Sequence, residues 1–130
     1  MFDSSVHERL ARRRGLTKRV DITKNIDVNR NYLRAIPREW RTTARVFTAL
    51  GDEHRQRILL TFSRGERLNV GQIVEVSTLS RSAVSHHLKI LREAGVLRSE
   101  KLGKEVWFWI DKDFLEESLH AVLTYIRERA

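Results

Sequence analysis

Apolar residues recur along this chain in two rhythms, and the change between them divides it. From Trp40 onward they fall three or four positions apart. Trp40, Ala44, Phe47 and Leu50 mark one stripe of a first helix that stops at Gly51, the spacing of an amphipathic helix with a glycine at its end. Pro37, the only proline, suits the first turn of that helix. Asp52 caps a second helix, with Glu53 in its first turn and Ile58, Leu59 and Phe62 turned inward. Ser63-Arg64-Gly65-Glu66 turns the chain, and a short third helix runs from about Val70 to Val76 with Ile73 and Val74 as its apolar contribution. After the tight connection Ser77-Thr78-Leu79, Ser80 caps a fourth helix through about Ala94, ended by Gly95, with Val84, Leu88 and Leu91 as its inner stripe.

The rhythm then shortens. Val96 to Glu100, a polar tip at Lys101-Leu102-Gly103-Lys104 and the strand-forming run Val106 to Ile110 read as a β-hairpin with a glycine at its tip. A final amphipathic helix, from about Phe114 to Arg127, sets Leu115, Leu119, Val122 and Ile126 on one side. The expected fold is mainly α with a small β-hairpin: four helices, a hairpin and a last helix. Residues 1–39 have a different texture. Ser4 or Ser5 caps a short helix that runs into Arg12-Arg13-Arg14 and ends at Gly15, and Val20/Ile22 and Ile26/Val28 then alternate with polar residues as two short strands or an extended arm. The predicted organisation is a basic extension over 1–39 and one folded domain over 40–130.

Composition narrows the function. With 41% apolar residues the chain can build one core. No apolar run approaches the roughly 18 residues that span a bilayer, and no signal-peptide pattern follows Met1, so a soluble, cytoplasmic protein with no membrane partner is expected. There is no cysteine, which excludes disulfides, thiol catalysis and thiolate metal sites. The net charge of +8 attracts polyanions, nucleic acid first. Enzyme chemistry lacks its parts: there is no glycine-rich phosphate loop, no nucleophile with a matched base and no paired carboxylates on one face. Asp111 and Asp113 flank Lys112 where a helix begins and read as capping and dipole partners.

The candidate chemistry lies on the fourth helix. Opposite its inner stripe stand Ser82, Ser85, His86 and Lys89, with Arg81 in the first turn after Ser80. Short hydroxyls, an imidazole and cations, with nothing large and apolar, suit a major groove. They can touch base edges or phosphates, arginine can grip guanine bidentately, and the helix N-terminus favours a phosphate. A plain solvated face would look similar taken alone. The short preceding helix, the tight turn and a hairpin tip carrying Lys101 and Lys104 make it a helix-turn-helix with a wing, spanning roughly Trp40 to Ile110. His87, at the edge of the apolar face, reads as a packed structural histidine. Adjacent helical residues point about 100° apart, so His86 and His87 do not pair as metal ligands.

Two blocks carry a family resemblance: Leu50-Gly51-Asp52 with Arg55 and Ile58-Leu59, and the continuous run from Leu79 to Leu97. Residues 46–129 resemble the ArsR/SmtB family of winged-helix bacterial transcriptional repressors, while residues 1–39 have no counterpart in its core pattern. The resemblance implies a homodimer, first and last helices pairing between subunits, and two recognition helices reading an inverted repeat in double-stranded DNA. Leu115, Leu119, Val122, Leu123 and Ile126 form a stripe wider than one hairpin needs to cover, and with Trp40 and Phe47 they are the candidate dimer contacts; packing on the helix's own domain is the plainer use of that stripe. The family's metal-binding positions fall at Asn69 and Gly71 in one site and at Lys112, Phe114, Tyr125 and Glu128 in the other, where only Glu128 is a plausible ligand. No metal and no cofactor are therefore expected, and the effector is undetermined.

In the hairpin, Val106, Phe108 and Ile110 face one side and Trp107 and Trp109 the other. A cover for the indoles is expected from residues 1–39 through Val20, Ile22, Ile26 and Val28; partly exposed tryptophans, or an aromatic cage for an organic effector, are the alternatives. Arg12-Arg13-Arg14 is otherwise a DNA arm. The leading reading is a sequence-specific repressor. Its rivals are a nonspecific architectural DNA coater and an antitoxin-like adaptor that holds a protein partner.

Overall fold

Pro37, with no amide hydrogen to place, stands at the N-cap of the first helix rather than within its first turn, and its carbonyl takes the amides of Trp40 and Arg41. The structure, a computed structural model, describes residues 32–130. Among them are five helices and three strands: α1 (Arg38–Leu50), α2 (Glu53–Leu59), β1 (Leu68–Asn69), α3 (Val70–Val76), α4 (Arg81–Glu93), β2 (Leu97–Leu102), β3 (Glu105–Ile110) and α5 (Lys112–Arg129). The expected short helix and arm within residues 1–31, and the cover offered by Val20, Ile22, Ile26 and Val28, lie outside the described residues.

The core gathers one stripe from each element: Val46 and Ala49 of α1, Ile58 of α2, Ile73 of α3, Val84, Leu88 and Leu91 of α4, then Val96, Leu97 and Phe108 of the sheet. Burying each of the larger side chains contributes about 1.5–3 kcal/mol. In α1 the stripe differs from the one the pattern suggested. Thr43, Val46 and Ala49 face inward, while Trp40, Ala44 and Phe47 are exposed. Both stripes have helical spacing, so spacing alone does not decide which of them turns inward. Gly51 closes α1 at φ −80°, so it supplies no left-handed turn; a Cβ there would sit 3.1 Å from the Phe47 carbonyl oxygen. α2 ends at Leu59, and Phe62 packs on the core from the following loop.

The sheet has one strand more than the hairpin. β1 pairs antiparallel with β3, Leu68 opposite Phe108 and Asn69 opposite Trp107, giving the order β1-β3-β2. β2 and β3 join through Gly103-Lys104, with Gly103 at φ 64°, the positive value a type II′ hairpin needs at its first central residue. Arg67, leading into β1, lays its guanidinium 3.9 Å over the Trp109 ring and pairs with Glu100 at 2.8 Å. The second face of the wing thus receives a cation as part of its cover.

Gly95 joins α4 to the wing. Its amide donates to the Arg92 carbonyl and that of Val96 to Leu91, the paired bonds that end a helix on a left-handed residue. Gly95 has φ 85°, and a Cβ there would meet the Phe114 ring at 2.6 Å. α5 is capped by Asp111, whose carboxylate accepts from the Phe114 amide, with Asp113 in its first turn.

Candidate nucleic-acid interface

α3, the turn and α4 form a rigid mount. Asn69 and Gln72 make a capping box at the start of α3, each side chain accepting the other's backbone amide. At its end the Ser77 hydroxyl donates to the Val74 carbonyl and accepts from the Leu79 amide. Leu79 packs on the core, and Ser80 accepts from the Ala83 amide to start α4. Val84, Leu88 and Leu91, fully buried, set which face of the helix turns inward.

That fixed rotation turns Arg81, Ser82, Ser85, His86 and Lys89 into solvent, every one of them exposed, together with the cap Ser80. Lys101 and Lys104 are exposed at the wing tip. Arg81 and Lys104 line one cleft of about 190 Å³ with Asn69, Gly71 and Glu105, so the start of α4 and the wing tip are brought together. Within it the Asn69 amide donates to the Glu105 carboxylate at 3.1 Å. Lys89 reaches Glu93 at 3.9 Å, an exposed pair of little energetic weight that leaves the cation available.

A positioning element escaped the hydrophobic pattern. Arg55 donates through Nε to the Ala49 carbonyl at 2.7 Å and through Nη2 to that of Thr48 at 3.0 Å, and Nη1 lies 3.4 Å from Nδ1 of His87. One guanidinium thus ties the end of α1 and the start of α2 to α4. Only the place of Arg55 beside Leu50-Gly51-Asp52 hinted at this. The Arg55 amide donating to Asp52, with the Arg55 guanidinium and the His54 amide, holds that carboxylate below the ordinary aspartate value. Burial lowers the His87 pKa, and the nearby Arg55 adds to the effect against the opposing Asp52.

The candidate dimer residues lie on α1 and α5. Trp40 and Phe47 of α1 are exposed, as are Leu119, Leu123 and Ile126 of α5, while Leu115 and Val122 are half-buried. Ser118 is the buried residue of α5. Trp40 meets Tyr125 edge-on at 5.0 Å.

Comparison with known proteins decides what this arrangement is. Residues 52–99 match the bacterial regulatory protein arsR family. The transcriptional repressor SdpR of Bacillus subtilis is 30% identical over 83 residues, covering 64% of this chain and 91% of SdpR. The chain belongs to the ArsR family. A Staphylococcus aureus homolog of the cadmium resistance regulatory protein CadC is 30% identical over 87 residues, 67% of this chain and 72% of that protein. In structure it is similar to an ArsR-like transcriptional regulator from Rhodococcus sp. RHA1, at 27% identity and a TM-score of 0.63, over 68% of this chain and 83% of that one. This ArsR-family chain is a winged helix-turn-helix, DNA-binding transcription regulator and not an enzyme.

The positions that the resemblance aligns with the family's metal ligands carry, apart from Glu128, no carboxylate, imidazole or thiolate here. Asn69 caps α3, Gly71 has no side chain, and Lys112 reaches Glu116 at 3.9 Å. Phe114 lies against Gly95 and Tyr125 against Trp40. Among the described residues no three His, Asp or Glu side chains group to hold a metal ion, and no helix is long and apolar enough to cross a membrane.

Proposed function

We propose that this regulator is a cytoplasmic homodimeric repressor that occupies an inverted-repeat operator and needs no metal. The carrying observation is the fixed outward face of α4. Arg81, Ser82, Ser85 and His86 address base edges in the major groove, and Ser80 and Lys89 address phosphates beside it. Lys101 and Lys104 hold the backbone from the wing, Lys104 close enough to Arg81 to follow one groove wall. The dimer reading draws on the exposed apolar side chains Trp40, Phe47, Leu119, Leu123 and Ile126, with Leu115 and Val122 behind them. Two-fold operators are met by two-fold proteins, and this face is the apolar one available for a self-complementary contact. Residues 40–130 would then carry both DNA binding and dimerisation, with 1–39 as a basic extension. Of the positions aligned with the family's metal ligands, Asn69, Gly71, Lys112, Phe114 and Tyr125 offer no carboxylate, imidazole or thiolate and only Glu128 does, which favours release by something other than a metal.

Selection from random duplexes followed by competition binding tests the reading. A specific regulator prefers its selected site by about 10³-fold or more over random DNA. A ratio near one would instead identify a charge-held DNA coater.

A further inference from the structure

Beneath α2 lies a cavity of about 160 Å³ that DNA binding does not use. Its floor is Ile58 and Ile73, fully buried, with Leu79 beside them, and its rim carries the cation Arg57, the imidazole of His54 and the hydroxyl of Thr78. An aliphatic cavity of about 150 Å³ is large enough to take one benzene ring. An apolar floor under a cationic rim selects an amphipathic anion. We propose that this cavity is an effector site for a small organic acid, a single apolar ring or short chain bearing one carboxylate.

The charge on the rim is accessible. Arg57 contacts Glu53 at 3.5 Å and His54 at 3.5 Å, and both side chains of the ion pair are exposed. Such a pair holds its arginine weakly, so an entering carboxylate can compete for it, and the net charge of +8 favours anions generally.

The site also touches both supports of the recognition helix. Ser77, whose hydroxyl ties the α3–α4 turn, lines the cavity, and Leu79 leads directly into the Ser80 cap. On the other side the His54 ring lies 5.8 Å, centroid to centroid, from that of His87 on α4, tilted by 32°. An occupant that shifts the turn therefore shifts α4, and binding of acid and operator become coupled in both directions. This coupling rests on the DNA-binding reading of α4; occupancy of the cavity does not.

Benzoate titrated into the full chain, followed by methyl NMR, tests the proposal, with benzyl alcohol as the uncharged control. Saturable shifts confined to Ile58, Ile73 and Leu79 are expected. Arg57→Gln should weaken benzoate roughly tenfold and leave benzyl alcohol unchanged. Thr78→Trp, which plugs the mouth from an exposed position, should abolish both. Absence of shifts at these methyls, or shifts that survive both substitutions, would overturn the site. Saturable benzoate binding that leaves operator affinity unchanged would overturn its role as an effector site. Operator affinity measured without benzoate tests the DNA-binding reading separately.

Discussion

Two of the helical surfaces that face solvent are opposite in kind. The outer face of α4 is made of short hydroxyls, an imidazole and cations, with nothing apolar among Ser82, Ser85, His86 and Lys89. The outer face of α1 and α5 is made of large apolar groups, Phe47 at 46% and Ile126 at 50% exposure among them. Water satisfies the first, which loses hydrogen bonds unless its partner offers polar groups in return. The second costs about 25 cal/mol for each Å² of apolar surface left wet, so it favours a protein partner. One chain thus presents a surface suited to a hydrated polyanion and another suited to its own copy.

The largest effect should come from putting a charge on the second surface. Leu123→Asp would bury an unpaired carboxylate in the proposed dimer, costing on the order of 4 kcal/mol, or roughly a thousandfold in self-association. Sedimentation should report monomers and operator binding should fall with it, while the circular dichroism stays that of wild type. A variant that remains dimeric at the same concentration would mean that the apolar face serves something else. Next is Gly95, where the two regions are joined: it closes α4, and Phe114 of α5 occupies the space a side chain would need. Gly95→Ala combines a left-handed backbone with a 2.6 Å clash. A loss of about 2–4 kcal/mol in denaturant unfolding is expected, and a loss under about 1 kcal/mol would refute this account of the junction.

The polar surface was the more legible of the two in sequence. Ser80, Gly95 and the single stripe Val84, Leu88, Leu91 fix the ends and rotation of α4 from local rules alone. α1 was harder, because Trp40-Ala44-Phe47 and Thr43-Val46-Ala49 are both helical stripes and the choice between them is made by tertiary partners. A surface that is apolar for another reason imitates a core. β1 was invisible for want of length: Leu68-Asn69 carries no periodicity and exists by pairing with Phe108 and Trp107. Arg55 reads as an ordinary surface cation until the ends of α1 and α4 are folded around it, and the cavity over Ile58 and Ile73 comes from helix placement, which no local spacing encodes.

Smaller effects should sharpen the chemistry of the α4 face. Arg81→Ala, Ser85→Ala and His86→Ala should each weaken operator binding by about 1–3 kcal/mol in titrations at fixed salt, with unfolding unchanged. Losses equal on operator and random DNA would show that these side chains touch only the backbone. Lys101→Ala and Lys104→Ala should weaken all sequences alike and lower the salt slope by about one for each phosphate that is no longer neutralised. An unchanged slope would remove the wing from the interface.

The finest test uses adjacent histidines that belong to different environments. His86 points outward, and its substitution is read in operator affinity. His87 points inward, where its Nδ1 faces Arg55 and its neighbours are Asp52, His54 and His86. Burial first, then Arg55, lowers its pKa below the ordinary 6.5, so in the interval beneath 6.5 the unfolded chain binds the proton that the folded chain refuses. Stability therefore rises with pH across that interval and is lost as pH falls through it, because protonation removes the acceptor for Arg55 and sets a second cation beside it. Denaturant unfolding at about pH 7.5 and about pH 5.5 should show wild type losing more stability than His87→Gln, whose amide does not titrate. Parallel losses in the two proteins would mean that the tie between Arg55 and α4 does not depend on a neutral imidazole.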